Sequence, residues 1–178
     1  MGLAPGLRGA NRTGRPFTGD YAGELLYGTL LKFGFATGAY AADPNDGLTL
    51  VDAAITNAVR CVPPQNKPTP AETRTCRAFL QRTIAAHVEL RAVVALGRVA
   101  HDAVVRSMQL APSRFAFAHG AVHDCVDAVR LYDSYHCSRY NTNTRRLTAE
   151  MFEAVFAQVR ADLSESTSAA AEPSTPSP

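Results

Sequence analysis

Leu90-Arg-Ala-Val-Val-Ala-Leu96, then Gly97, then the run from Val99 to Met108 decide the fold class. The first segment is a short apolar run, which reads as a strand buried in a sheet. Gly97 supplies the turn. Val99, Ala103 and Val104 recur at helical spacing, so a helix follows. Strand, glycine turn and helix form the first part of a βαβ unit, in which parallel strands are joined across a covering helix.

The same alternation extends outward in both directions. Downstream, residues 110–127 read as irregular, with Phe115, Phe117 and a His119-Gly120 turn. Val129-Arg-Leu-Tyr-Asp133 is a last strand, running into the polar loop Ser134-Tyr-His-Cys-Ser-Arg-Tyr-Asn-Thr-Asn-Thr144. Leu147 to Leu163 is the final helix, with Thr148 as cap and Met151, Phe152, Val155, Phe156 and Val159 on one face. From Ser164 the Ser/Ala/Pro/Glu-rich sequence predicts a disordered tail, so the expected domain is 1–163 and the tail 164–178. Upstream, Thr69, Pro70 and Glu72 announce a helix reaching about Ala86. Val62 to Pro70 is a rigid, extended proline loop. Leu50 to Val59 reads as a buried strand with Asn57 near its C-terminal end. Ala22 to Phe33 is a helix, with Asp20 as its cap and Gly34 at its end.

The expected architecture is therefore α/β, a parallel sheet with helices on both faces. In such sheets ligands gather at the C-terminal ends of the strands. That rim would collect Asn57, the His136 loop and the opening stretch Gly2-Leu-Ala-Pro-Gly6 … Gly9-Ala-Asn-Arg-Thr-Gly14-Arg-Pro-Phe-Thr-Gly-Asp20. Glycines at 2, 6, 9, 14 and 19 permit close approach of backbone to a ligand. Phe17, Asp20, Asn11 and three arginines (Arg8, Arg12, Arg15) add groups that a mere linker does not need. The stretch fits neither the dinucleotide nor the P-loop pattern. A loop of this kind should follow a strand, yet it begins at Met1-Gly2, so a first strand is expected upstream of this sequence.

The 178 residues carry a net charge of +2, too small to argue for nucleic acid by itself. The charge is uneven, however. Residues 8–15 and 139–146 each hold three arginines and no acid, as an anionic partner would require. No run of eighteen apolar residues exists to span a membrane, and no apolar leader is visible. Cys61, Cys76, Cys125 and Cys137 read as reduced thiols or metal ligands rather than a disulfide framework. As ligands, Cys61 and Cys76 lack a C-x₂-C partner and would need two more donors. His136, between strand and helix, suits acid/base or charge-stabilising work. His101 reads as structural, and His87 and His123 as surface residues.

Gly2-Leu-Ala-Pro-Gly, Gly9 to Asp20, Thr56-Asn-Ala-Val-Arg-Cys-Val-Pro-Pro-Gln-Asn-Lys-Pro-Thr-Pro70 and Ser134 to Thr144 together resemble the uracil-DNA glycosylase superfamily, specifically its type-5 branch, related to the type-4 iron–sulfur enzymes. The resemblance covers about residues 2–163 in order. It implies a three-layer α/β/α fold with a four-stranded parallel sheet, whose first strand would precede this sequence. It implies base flipping and hydrolysis of the N-glycosidic bond of uracil, and of other deaminated bases, in double- or single-stranded DNA. Asp20 would handle water and stabilise the sugar cation, with Asn11 as the alternative, and His136 would stabilise the departing base. Phe17 would stack on uracil and Asn57 would pair with its edge, in a pocket shared with Gly2, Ala4 and Pro5. Arg12, Ser138, Arg139, Asn141 and Asn143 would hold DNA. Cys61 and Cys76 match two of four ligands to a [4Fe–4S] cluster. The branch implies a cytoplasmic, nucleoid-associated monomer with no membrane role. Cys137 replaces the branch's proline, and its freer φ predicts a looser loop. Lacking the first strand and two cluster ligands, the chain alone is expected to fold poorly and act weakly; a non-catalytic or weakly active DNA-binding relative is the alternative. An enzyme of free nucleosides is the rival reading; it would need no basic loops.

Overall fold

The computed structural model describes residues 1–7 and 9–170. Arg8 and the expected tail from residue 171 on lie outside them. Among the described residues the central sheet has three strands, β3 (Ala92–Leu96), β5 (Arg130–Ser134) and β4 (Val122–Asp124), in the order β3-β5-β4. β3 and β5 are parallel, from Ala92 opposite Arg130 to Leu96 opposite Ser134. β4 pairs antiparallel with β5 inside the stretch expected to be irregular. A separate antiparallel pair joins β1 (Ala36–Thr37) to β2 (Thr49–Leu50).

The four-stranded parallel sheet is thus not found as regular strands. The expected strand 50–59 shrinks to β2 and a single parallel bridge between Gly2 and Asn57. Asp52, with φ of 47°, breaks the extended backbone between them. Backbone hydrogen bonds nevertheless extend the sheet's edge beyond β3. Leu96 N donates to Met1 O at 2.9 Å, Gly2 N to Thr56 O at 2.8 Å and Ala58 N to Gly2 O at 3.0 Å.

Alternation along β5 sorts the layers. Leu131 faces a cluster with Ala95, Ala100, Val104 and Val105, whereas its neighbour Tyr132 faces one with Leu26, Leu30, Phe152 and Phe156. Helix α4 (Arg98–Ser107), with α3 (Pro70–Ala86) beside it, therefore covers one face, and α2 (Tyr21–Lys32) with α6 (Ala149–Ala170) covers the other. Burying each such Leu, Val or Phe contributes about 1.5–3 kcal/mol.

The helix signals work as their chemistry requires. Thr69 and Glu72 close a capping box at Pro70, and Thr148 Oγ1 accepts from Met151 N at 3.2 Å. α6 continues to Ala170, beyond the expected end at Leu163. Two short helices were not evident from periodicity: α1 (Ala10–Thr13) in the opening loop and α5 (Arg139–Asn143) in the His136 loop, the latter capped by the Ser138 side chain. Among the described residues no helix is long and apolar enough to cross a membrane.

Candidate active site

Three segments meet at the C-terminal rim of the sheet. The opening loop enters along the sheet's edge, residues 56–59 lie beside it, and the His136 loop leaves β5. Their junction is fixed by backbone bonds: Val59 N donates to Leu3 O at 3.0 Å, and Gly97 N donates to Ser134 O at 2.7 Å. Gly97 has φ of 94°, which only glycine adopts freely, and lets β3 turn into α4 beside His136.

Between these segments lies a cavity of about 220 Å³, lined by Phe17, Asp20, Asn57, His136, Ser138 and Arg139 among others. Phe17 is buried and holds φ of 56°, a left-handed conformation that costs an aromatic residue about 1–3 kcal/mol. Its ring stands 6.0 Å from the His136 ring, centroid to centroid.

The polar groups around this ring lack partners. Asp20 Oδ1, Asn57 Oδ1 and His136 Nδ1 are buried without a hydrogen bond; the fourth such side-chain atom among the described residues, Ser107 Oγ, lies elsewhere. Buried polar atoms are almost always satisfied, so three orphans on one cavity mark groups arranged for a ligand. Asp20 stands at the N-cap position of α2, yet its side chain makes no capping bond. The first-turn amides of Ala22 and Gly23 face the carboxylate, while its Oδ1 is left without a partner. Burial raises its pKa from the ordinary carboxylate value, outweighing hydrogen bonds from the Gly23 and Ala22 amides. Burial likewise pushes His136 down to about 4, so the ring is neutral at physiological pH.

The remaining expected residues fall into two groups. Ala4 and Leu3 line the cavity, while Gly2 lies behind it, against Asn57 and Phe17. Pro5 is half-buried in the same turn but is not part of the wall. Arg139 lines the mouth and lies over the Tyr21 ring at 5.1 Å. Asn141 turns inward, its Nδ2 donating to His136 O at 2.8 Å. Asn11, Arg12 and Asn143 are exposed and do not line the cavity.

Cys137 departs from the expected loosening. It is fully buried, and its Sγ donates to Ala22 O at 3.6 Å, tying the loop to the start of α2. Burial pushes this thiol up to about 12, which keeps it protonated.

His123, expected at the surface, belongs to a buried network. Asp133 Oδ1 lies 2.8 Å from His101 Nδ1, Asp133 Oδ2 lies 3.1 Å from His123 Nε2, and His101 Nε2 lies 3.0 Å from Phe115 O. These contacts pin the segment carrying Phe117 against β5. That segment walls a second cavity of about 320 Å³ on the far side of His136, where Arg98 lies over Phe117 and Arg146 over Tyr135. No motif spacing announces such a network, since its members are 10 to 32 residues apart.

Cys61 is exposed and Cys76 half-buried, both with free thiols. The Arg60 guanidinium lies 4.7 Å over Phe79 and bonds Thr83, which brings the Cys61 segment to the face of α3 that carries Cys76. Among the described residues, the one close group of three or more His, Cys, Asp or Glu side chains is His101, His123 and Asp133, and it contains neither cysteine.

Known proteins resemble this chain over most of its length. Residues 1–160 match the sequence model of the uracil DNA glycosylase superfamily. The chain is 45% identical over 160 residues to a type-5 uracil-DNA glycosylase of Thermus thermophilus, covering 90% of this chain and 73% of that protein. It is 42% identical over 162 residues to one of Pyrobaculum aerophilum, covering 91% and 70%. A type-4 uracil-DNA glycosylase of Archaeoglobus fulgidus is more distant, at 32% over 125 residues, covering 70% and 55%. The chain belongs to the uracil DNA glycosylase superfamily.

Proposed function

We propose that this protein is a DNA-repair glycosylase that takes uracil, flipped out of DNA, into the 220 Å³ cavity and hydrolyses its N-glycosidic bond to leave an abasic site. The observation that carries this reading is the trio of unpartnered buried atoms, on Asp20, Asn57 and His136, set around the Phe17 ring. An amide offers one acceptor and two donors, which suits the N3–H and O4 of a pyrimidine. Phe17 supplies the stacking face, worth about 1–3 kcal/mol per base.

Breaking the bond between C1′ and N1 sends the electron pair to the base and leaves positive charge on the sugar. Asp20, as a carboxylate, stabilises that cation and orients the water whose oxygen bonds to C1′; its raised pKa suits it to accept the water's proton. Neutral His136 donates an N–H to the oxygen of the departing uracil anion. A neutral donor stabilises that anion without pairing with Asp20 in the ground state.

Arg139 at the mouth, with Arg98 and Arg146 in the adjoining cavity, would hold the DNA strand's phosphates, an interaction weakened by salt. Residues 1–3 and 56–59, running parallel to β3 and β5, are read as the remaining pair of a four-stranded parallel core. Cys61 and Cys76 are read as two of the four thiolates of a [4Fe–4S] cluster, which when bound would cross-link the proline loop to α3. No catalytic step passes through it. The protein is read as an intracellular monomer.

The deciding experiment is release of uracil from labelled single- and double-stranded oligonucleotides, repeated with Asp20→Ala and His136→Ala. Release by the wild type, and its loss in both variants, is expected. Unchanged rates in both would remove the assignment.

A further inference from the structure

The geometry points to Asp46 as a positioning residue for the Phe17 platform, acting through Arg15 from a turn that touches neither cavity. This inference rests on the reading of Phe17 as the surface on which the base stacks.

The left-handed backbone at Phe17 is unfavourable and must be held from outside. Three side chains hold it. Tyr27 OH donates to Pro16 O at 2.6 Å, Tyr40 OH donates to Phe17 O at 3.2 Å, and Arg15 Nε donates to Thr18 Oγ1 at 2.6 Å. The peptide groups on both sides of the Phe17 Cα are thereby fixed. Arg15 also lies over the stacked rings of Tyr27 and Tyr40, at 5.2 and 5.6 Å from their centroids. One guanidinium therefore organises all three contacts.

What orients that guanidinium is Asp46, 31 residues on. Its two oxygens take Nη1 and Nη2 at 2.7 and 2.8 Å, a fork-to-fork pair. The carboxylate is itself fixed, since Oδ2 accepts from Ala41 N at 2.8 Å and Oδ1 from Leu48 N at 3.1 Å. The Asp46 side chain is 2% exposed. The turn at 43–47 is thus built to present one carboxylate to one arginine. Gly23 completes the clamp: a Cβ there would stand on Phe17 O and Tyr40 Oη.

The test uses the full chain with Asp46→Asn, and Arg15→Lys as a second variant should the first fail to fold. Hydrogen–deuterium exchange of residues 15–20 reads the clamp directly and needs no substrate. Binding of free uracil by calorimetry, in Phe17 and Phe17→Ala backgrounds, reads its purpose. The expected result is faster exchange over 15–20, about tenfold weaker uracil binding, and a higher KM for oligonucleotide release with kcat changed much less. In the Phe17→Ala background the further loss from Asp46→Asn should vanish, because the residue acts through that ring. Unchanged exchange in the folded variants overturns the clamp. Faster exchange with losses that simply add overturns the positioning role. Faster exchange in a protein whose wild type neither binds nor releases uracil leaves the clamp standing and removes the uracil reading instead.

Discussion

Gly2 and Asn57 meet in a parallel backbone bridge, and Asn57 Oδ1 stands 2.5 Å from where a Gly2 Cβ would lie, with Phe17 Cζ 2.7 Å from the same point. Real Cβ atoms do not approach this closely. The glycine is therefore required by packing, not by its backbone angles. Gly2→Ala should push the amide and the ring out of register and lower uracil release about ten- to a hundredfold. Single-turnover release rates check this; an alanine variant at wild-type rate would mean that Asn57 moves without consequence.

Asp20 and His136 should differ in how they fail. Asp20→Asn keeps the shape and removes the charge that faces the sugar cation, so release should fall about 10²–10⁴-fold. His136→Ala removes one donor to the leaving base, and a loss of about 10²–10³-fold is expected. Free uracil should bind Asp20→Asn nearly as well as wild type, since the carboxylate acts on the sugar side. Calorimetry with the free base separates the two roles.

Acid should act on both activity and stability. Between about pH 4, where buried His136 titrates, and its ordinary value of 6.5, the unfolded chain binds a proton that the folded one refuses. Stability therefore rises with pH across that window and falls as pH drops through it, by up to about 1.4 kcal/mol per pH unit from this group. Asp20 has the opposite sign, because burial favours its protonated form and so removes stability as pH rises past its ordinary value. Denaturant titrations at several pH values should show a shallower slope over this window in His136→Asn. The acid limb of kcat, set by Asp20, should lie above the value of an unperturbed aspartate.

Asp133 is fully buried, with a histidine on each oxygen. Asp133→Ala strands His101, which is itself only 1% exposed. Leaving a buried hydrogen-bonding group without its partner costs about 1–3 kcal/mol. Urea midpoints should fall accordingly, and the 115–123 segment should gain exchange first, because Phe115 O and His123 both hang on the network.

Removing Cys61 or Cys76 tests the cluster reading apart from catalysis. Serine at either position should lower iron content and visible absorbance in protein prepared anaerobically. Iron content equal to that of the wild type in both variants would free the two thiols of a ligand role.

Much of the site was legible because its parts are local. Thr69, Pro70 and Glu72 lie within one turn, so their capping box can be read from spacing alone. Phe17 and Asp20 were marked by standing polar and aromatic among glycines, and His136 by the strand-to-helix loop that carries it. The parts that escaped are nonlocal or irregular. β4 has three residues and takes its pairing from β5, not from any pattern of its own. The 50–59 run is apolar enough for a strand, but Asp52 turns the chain, and after Leu50 in β2 it is Asn57 that bridges again.

By itself the sequence determined the layer order, the helix caps and the residue types gathered at the rim, because hydrophobic period, capping chemistry and turn residues act over a few positions. Tertiary structure alone decided which polar atoms go unpaired. Asp20 looks like a helix cap in sequence, and its Oδ1 is buried without a partner in the structure, where Gly6 and Gly9 of the opening loop lie against the side chain. Asp46 and Asp133 look like ordinary loop and strand acids, and their roles arise from Arg15, His101 and His123 brought to them across 10 to 32 residues of chain. Burial and partner choice depend on what the rest of the fold places nearby, and no local pattern carries that information.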